Sequence, residues 1–115
     1  MAVLYSNSAN SLEVSELTVK SALGDPYSAS FTVQHPQPLS DQELIIRQAP
    51  LEIYQQMGVD STMLYQDLTF KLMESGQVTI KSRAPIKEPF LNFVVQFLWS
   101  EGEMVREFTV LLDPS

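Results

Sequence analysis

His35 is the only histidine in the sequence, and it stands beside Pro36 with no second ligand at metal-binding spacing. Its expected place is a surface loop. Cysteine is absent, which removes thiol nucleophiles, disulfides and Cys-based zinc sites from consideration. A serine triad would need His35 as its base, yet no Gly-x-Ser-x-Gly elbow occurs, and Ser75-Gly76 reads as a β-turn. Glycosidase chemistry needs two carboxylates facing each other across a cleft. The best acidic group is Glu101, Glu103 and Glu107, on a loop and the strand leaving it, where solvated charge keeps a β-rich protein soluble. A calcium site there lacks the Asp-x-Asp-x-Asp loop that would build it. Gly24, Gly58, Gly76 and Gly102 stand singly, so no loop can cradle a phosphate. These residue types point away from catalysis, and no cofactor or metal is expected.

The chemistry that remains is that of contact. Arg47, Lys71, Lys81, Arg83 and Lys87 gather positive charge in an acidic chain, and the last three lie close in sequence. A solvated strand edge is the first reading, and contact with an anionic partner is the minority one. Trp99 falls at a strand end, with Glu101 and Glu103 in the loop beyond it. Lys81, Arg83, Lys87, Trp99, Glu101 and Glu103 are therefore the candidate interaction surface. An alternative of a different class is a glycan or small-ligand site with Trp99, Tyr54 or Tyr65 as stacking platform.

A chain of 115 residues fits one domain with a real core. Its net charge of -7 argues against nucleic acid and anionic lipid surfaces as partners. No apolar run approaches the roughly 20 residues that cross a bilayer, so direct membrane insertion by this segment is not expected. The opening Met1-Ala-Val-Leu-Tyr has no basic flank and is too short for a secretory core. Residues 1–11 are expected to form a flexible tail, and 12–115 the folded domain.

The elements that must position the contact residues read as strands. The clearest are Glu88-Pro-Phe-Leu-Asn-Phe-Val-Val-Gln-Phe-Leu-Trp and Met104-Val-Arg-Glu-Phe-Thr-Val-Leu-Leu-Asp-Pro, joined by a polar loop of four residues, Ser100 to Glu103. In the first of these, Leu91, Phe93, Val95, Phe97 and Trp99 share one face and Phe90, Val94 and Leu98 the other, so this strand should be central. The aromatic residues Phe90, Phe93, Phe97 and Phe108 are assigned to the core.

Leu12 to Ser21 reads as a strand whose register shifts once, at a bulge near Ser15-Glu16. Tyr27, Ala29, Phe31 and Val33 alternate with polar residues, the Pro-rich stretch from Gln34 to Pro38 ends that strand, and Glu43 to Gln48 forms a short one. Pro50 opens a helix of about two turns that Gly58 closes, a cap over one end of the core. Leu68 to Leu72 and Val78 to Lys81 make a second hairpin about Ser75-Gly76. About seven strands, one brief helix and no βαβ rhythm predict an all-β, antiparallel immunoglobulin-like sandwich.

Taken in order, Leu17-Thr-Val-Lys-Ser-Ala-Leu-Gly-Asp-Pro, Ile80-Lys-Ser-Arg-Ala-Pro-Ile-Lys-Glu-Pro-Phe-Leu-Asn-Phe and Trp99-Ser-Glu-Gly-Glu-Met-Val-Arg-Glu-Phe-Thr-Val-Leu-Leu-Asp-Pro resemble the N-terminal domain of the FimV/TspA/HubP family. The resemblance runs from about Leu12 to Pro114, and Pro50-Leu51-Glu52 with Met57-Gly58 looks like that family's short mid-domain helix. It implies a bacterial, periplasmic domain of an inner-membrane-anchored polar landmark protein that supports type IV pilus assembly, twitching motility and polar placement. In the family such a domain follows a signal peptide and precedes a LysM peptidoglycan-binding module, a membrane span and an acidic cytoplasmic part. The LysM motif lies outside these residues, so peptidoglycan contact is expected only through that neighbouring module. The family's domain offers no catalytic residue to carry over, and the implied role is non-enzymatic interaction with envelope or pilus-machinery proteins. The chain is expected to be an excised domain or a short stand-alone relative.

Overall fold

A computed structural model of the chain describes residues 12–35, 39–65 and 67–114. The strand with two apolar faces, β7 (Phe90–Trp99), lies at the centre of a three-stranded antiparallel sheet between β4 (Ile45–Gln48) and β8 (Gly102–Leu111). β7 and β8 pair from Phe90↔Leu111 to Trp99↔Gly102. The connection is thus two residues, Ser100-Glu101, not the four expected, because Gly102 joins the ladder. A Cβ on Gly102 would lie 3.0 Å from the Trp99 ring, so its bare backbone provides the floor for the indole.

The second sheet contains β1 (Glu13–Val14), β2 (Thr18–Val19), β3 (Pro26–Gln34), β6 (Gln77–Pro85) and β5 (Leu68–Leu72). β1 and β2 both pair with β3, in the registers Val14↔Val33 and Thr18↔Ser30. Three residues on one side thus face two on the other, which is the bulge expected at Ser15-Glu16. Ser15 stitches the gap: its N–H donates to the Thr32 carbonyl at 2.9 Å, and its Oγ accepts the Thr32 N–H at 2.8 Å. Counting β1 and β2 as one broken strand leaves seven strands, four facing three, in the arrangement of a constant-type immunoglobulin domain. Residues 1–11 and the Pro36–Pro38 part of the Pro-rich stretch, on which two expectations fall, lie outside the described residues.

Inward-facing Tyr27, Phe31, Val78, Ile80, Leu91, Phe93, Val95, Phe97, Phe108 and Val110 fill the space between the sheets. Its centre is aromatic: Phe31 meets Phe97 edge-on at 5.9 Å, Tyr27 meets Phe93 edge-on at 6.1 Å, and Phe108 tilts against both Phe31 and Phe93. A second bulge lies in β3 between Pro26 and Ser28. There the buried Ser82 hydroxyl accepts the Tyr27 N–H and donates to the Ala84 carbonyl, both at 2.8 Å, so the bulge leaves no orphan donor at Tyr27.

The helix α1 (Leu51–Met57) follows Pro50 and closes at Gly58, whose φ of 70° is the left-handed conformation a helix C-terminus favours. Pro50 is the capping residue, one position earlier than expected, and a short 3-10 turn at Thr62–Tyr65 follows. α1 does not cap an end of the sandwich. Its Tyr54 packs with Ala49, Val94 and Val105 over the outer face of the three-stranded sheet, forming a small second core. The apolar parity of β7 explains this placement: Val94 faces away from the main core and needs a cover.

Candidate functional site

The structure divides the six candidate residues into two groups at separate places. Lys81 and Arg83 are exposed on the outer face of β6, and exposed Lys87 follows that strand. Arg83 meets Asp67 at 3.5 Å with both side chains largely in solvent, a contact of little energetic weight. Trp99, Glu101 and Glu103 belong to the β7–β8 hairpin at the opposite end of the sandwich, beside the end of β3 rather than its Pro26↔Pro85 start. Arg47 leaves the basic group altogether. Its Nε donates to Gln96 Oε1 at 2.9 Å, and Gln96 Nε2 donates to Glu103 at 2.7 Å, a relay across β4, β7 and β8. Glu103 is thus a half-buried acceptor instead of a solvated loop charge.

Two of the three aromatic platforms considered are occupied by the fold. Tyr54 is fully buried, and Trp99 is half-buried between Gly102 and the edge-on ring of His35 at 6.1 Å. His35 is accordingly half-buried against the indole and not a free loop residue. The side chain of Tyr65 lies outside the described residues. Phe90, assigned to the core, is instead 55% exposed, and with Leu111 at 72% it forms a cross-strand apolar pair on the outer face of the three-stranded sheet.

The groups whose ionisation departs from the ordinary do so for local reasons. The Ser40 backbone N–H, with the Ser40 hydroxyl, lowers Glu43, and the Thr62 hydroxyl, with its N–H, lowers Asp60. Burial raises the phenols of Tyr54 and Tyr27, and for Tyr54 the hydrogen bond from Val94 partly offsets it. None of these is an acid or base poised near neutrality. Among the described residues no three of His, Asp and Glu come together to hold a metal ion.

What the described residues leave available is one edge of the three-stranded sheet. On the β4 side, Val94 donates its N–H to the Tyr54 hydroxyl at 2.9 Å and accepts the Ala49 N–H at 2.9 Å. The phenol donates in turn to Gln48 Oε1 at 2.5 Å. Both polar backbone groups of Val94 thus point away from β8, so Val94↔Glu107 is a pair without mutual hydrogen bonds. By the alternation of antiparallel strands, Val105, Glu107 and Thr109 turn their N–H and C=O groups outward from β8.

Beyond that edge lies an open seam against β1 and β2. One groove of about 420 Å³ is lined by Leu12, Val14, Met57, Met104, Val105 and Arg106 among others, and a second of about 410 Å³ by Leu17, Val19, Phe108 and Val110 among others. Among the described residues two bridges cross the seam: Arg106 donates to the Val14 carbonyl while lying 5.2 Å over the Phe108 ring, and Leu23 N–H donates to the Asp113 carbonyl at 2.8 Å. Reading residue types in the sequence passes over Val105 and Thr109, because their availability is a property of backbone direction. The signal that could find them is parity with Val94 across the hairpin.

A family model described as the FimV N-terminal domain, an Ig-like domain, matches residues 12–115. Two curated relatives, each called motility hub protein FimV, from Pseudomonas aeruginosa strains PAO1 and UCBPP-PA14, are 39% identical over 97% of the chain. The chain spans 13% of the length of these relatives. No solved structure matches the chain significantly.

Proposed function

The chain belongs to the FimV N-terminal domain family of Ig-like domains, and on that footing we propose that it is a non-enzymatic protein-interaction module of the bacterial cell envelope. It works in the periplasm as part of an inner-membrane-anchored protein, docking components of a motility or type IV pilus assembly. The name of the relatives, motility hub protein, supports this reading.

The observation that carries the mechanism is the outward-facing backbone of β8. An extended partner segment adds to that edge as a further strand, its amides bonding Val105, Glu107 and Thr109. Its inward side chains enter the seam, apolar beside Val14 and Met104 and more polar beside Leu17 and Val19, where Glu16, Arg106 and Thr109 join the lining, and its outward ones meet Leu111. Main-chain bonds supply affinity in this mode and the grooves supply specificity.

Thr109→Pro tests it. Proline removes an outward donor while sparing the β7 ladder, so the fold should persist, which a melting curve checks. Pull-down from envelope extracts with the isolated domain should recover partners that the proline variant loses. Equal recovery by both would overturn edge pairing. Binding of glycan at Trp99 is the weaker reading, and a silent Trp99 fluorescence titration with muropeptide is the expected result.

A further inference from the structure

The outer face of the four-stranded sheet carries an ordered cationic array that the β8 edge does not use. Register fixes it. Thr18 lies opposite Ser30, Ser30 opposite Thr79 and Thr79 opposite Lys71, giving one row across β2, β3, β6 and β5. One step along, Lys20 N–H bonds the Ser28 carbonyl at 2.8 Å, Ser28 lies opposite Lys81 and Lys81 opposite Thr69, giving a second row. With neighbouring strands about 4.8 Å apart, Lys20 and Lys81 stand about 10 Å from each other, Arg83 about 7 Å beyond Lys81 along β6, and Lys71 diagonal to Lys81.

Every other residue in these two rows is Ser or Thr; neither row contains a carboxylate, an aromatic ring or a large apolar side chain. Four of the chain's seven cations, Lys20, Lys71, Lys81 and Arg83, therefore share one exposed face in a chain of net charge -7, with Asp67 beside Arg83 as the carboxylate at its margin. The placement opposes the overall charge.

We propose that this face docks an acidic polypeptide segment of a partner protein. Carboxylates two residues apart on an extended chain repeat at about 7 Å, and those one helical turn apart at about 6 Å, so either matches the spacing of the array. The hydroxyls of Thr18, Ser28, Thr69 and Thr79, which donate as well as accept, complete the contact, while Ser30 is buried in the row. A bilayer or a nucleic acid is disfavoured by the same features. The face has no aromatic ring, its one large exposed apolar side chain being Met73 at the end of β5, too little to anchor it in an interface, and a long polyanion would also meet the repulsion of the remaining acidic surface. A short segment feels only the local field, because screening confines it to about 8–10 Å.

The test is an NMR titration of the domain with short poly-L-glutamate at about 0.1 M salt, where the screening length is about 10 Å. Shifts are expected at Lys20, Ser28, Lys71, Thr79 and Lys81, with affinity falling steeply as salt is added. The exposed double variant Lys20→Glu/Lys81→Glu should weaken binding about tenfold or more, whereas Arg47→Gln on the other sheet should not. Thr109→Pro should leave this binding intact, which separates the proposal from edge pairing at β8. Absent or differently placed shifts would overturn it. So would equal or tighter binding, at the same residues, of phosphatidylglycerol vesicles or polygalacturonate.

Discussion

The two edges of the three-stranded sheet are treated in opposite ways. β4 ends after four residues, and where it stops a phenol takes over: Tyr54 accepts the Val94 N–H that a longer β4 would have taken, and Gln48 holds the phenol in place. Among the described residues β8 runs for ten residues with no strand beyond it, and of these residues only Arg106 and the Leu23–Asp113 bond reach across the gap. Short edges and covering elements are how sheets avoid unwanted pairing. Where the described residues spend a helix and a fully buried tyrosine to close one side, yet leave the longer side open, they present an available edge.

The largest predicted effect comes from removing the closed side. Tyr54→Ala empties the second core and strips Val94 of its partner, and it should cost about 3–5 kcal/mol in denaturant unfolding. Tyr54→Phe keeps the packing and deletes only the hydroxyl; the stranded Val94 amide should cost about 1–3 kcal/mol. Ser82→Ala isolates the same kind of defect at the β3 bulge, with a loss of similar size and no change at the β4 side.

The closed side also predicts a pH dependence. Burial raises the phenols of Tyr54 and Tyr27 above the usual 10.0, so folding favours their protonated forms. That stability is fully present below the unfolded value and is lost as pH rises through the folded one, so melting temperature should fall above about pH 10. Tyr54→Phe should flatten that decline. Tyr27→Phe should flatten it too, without a penalty at neutral pH, since the buried Tyr27 hydroxyl has no hydrogen-bond partner among the described residues. On the open side, Thr109→Pro should change stability by less than about 1 kcal/mol, the smallest effect of the set, while abolishing partner capture.

The fold was legible where side chains alternate. Two apolar faces on β7, the parity break at Ser15-Glu16 and the Gly58 stop each reflect a local rule that the tertiary structure obeys. What escaped depended on a neighbour. The length of the hairpin turn is decided by the Trp99 ring on Gly102, and the position of α1 by Val94 needing a cover. Gln96 shows the same limit: as a polar residue in an apolar run it reads as an interruption, whereas register makes it the link between Arg47 and Glu103.

For the contact residues, charge was visible and its partition was not. Lys81 and Arg83 were identifiable from composition, but Lys20 joins them and Arg47 leaves them only once β2, β3 and β6 are aligned. The edge of β8 carries no residue-type signature at all, because it consists of main-chain groups.

Amide hydrogen exchange on the free domain tests the open edge most directly. The N–H groups of Val105, Glu107 and Thr109 should exchange much faster than those of Arg106, Phe108 and Val94. Protection of Glu107 and Thr109 equal to that of Arg106 and Phe108 in the isolated, monomeric domain would mean that β8 is already paired, and would contradict the account.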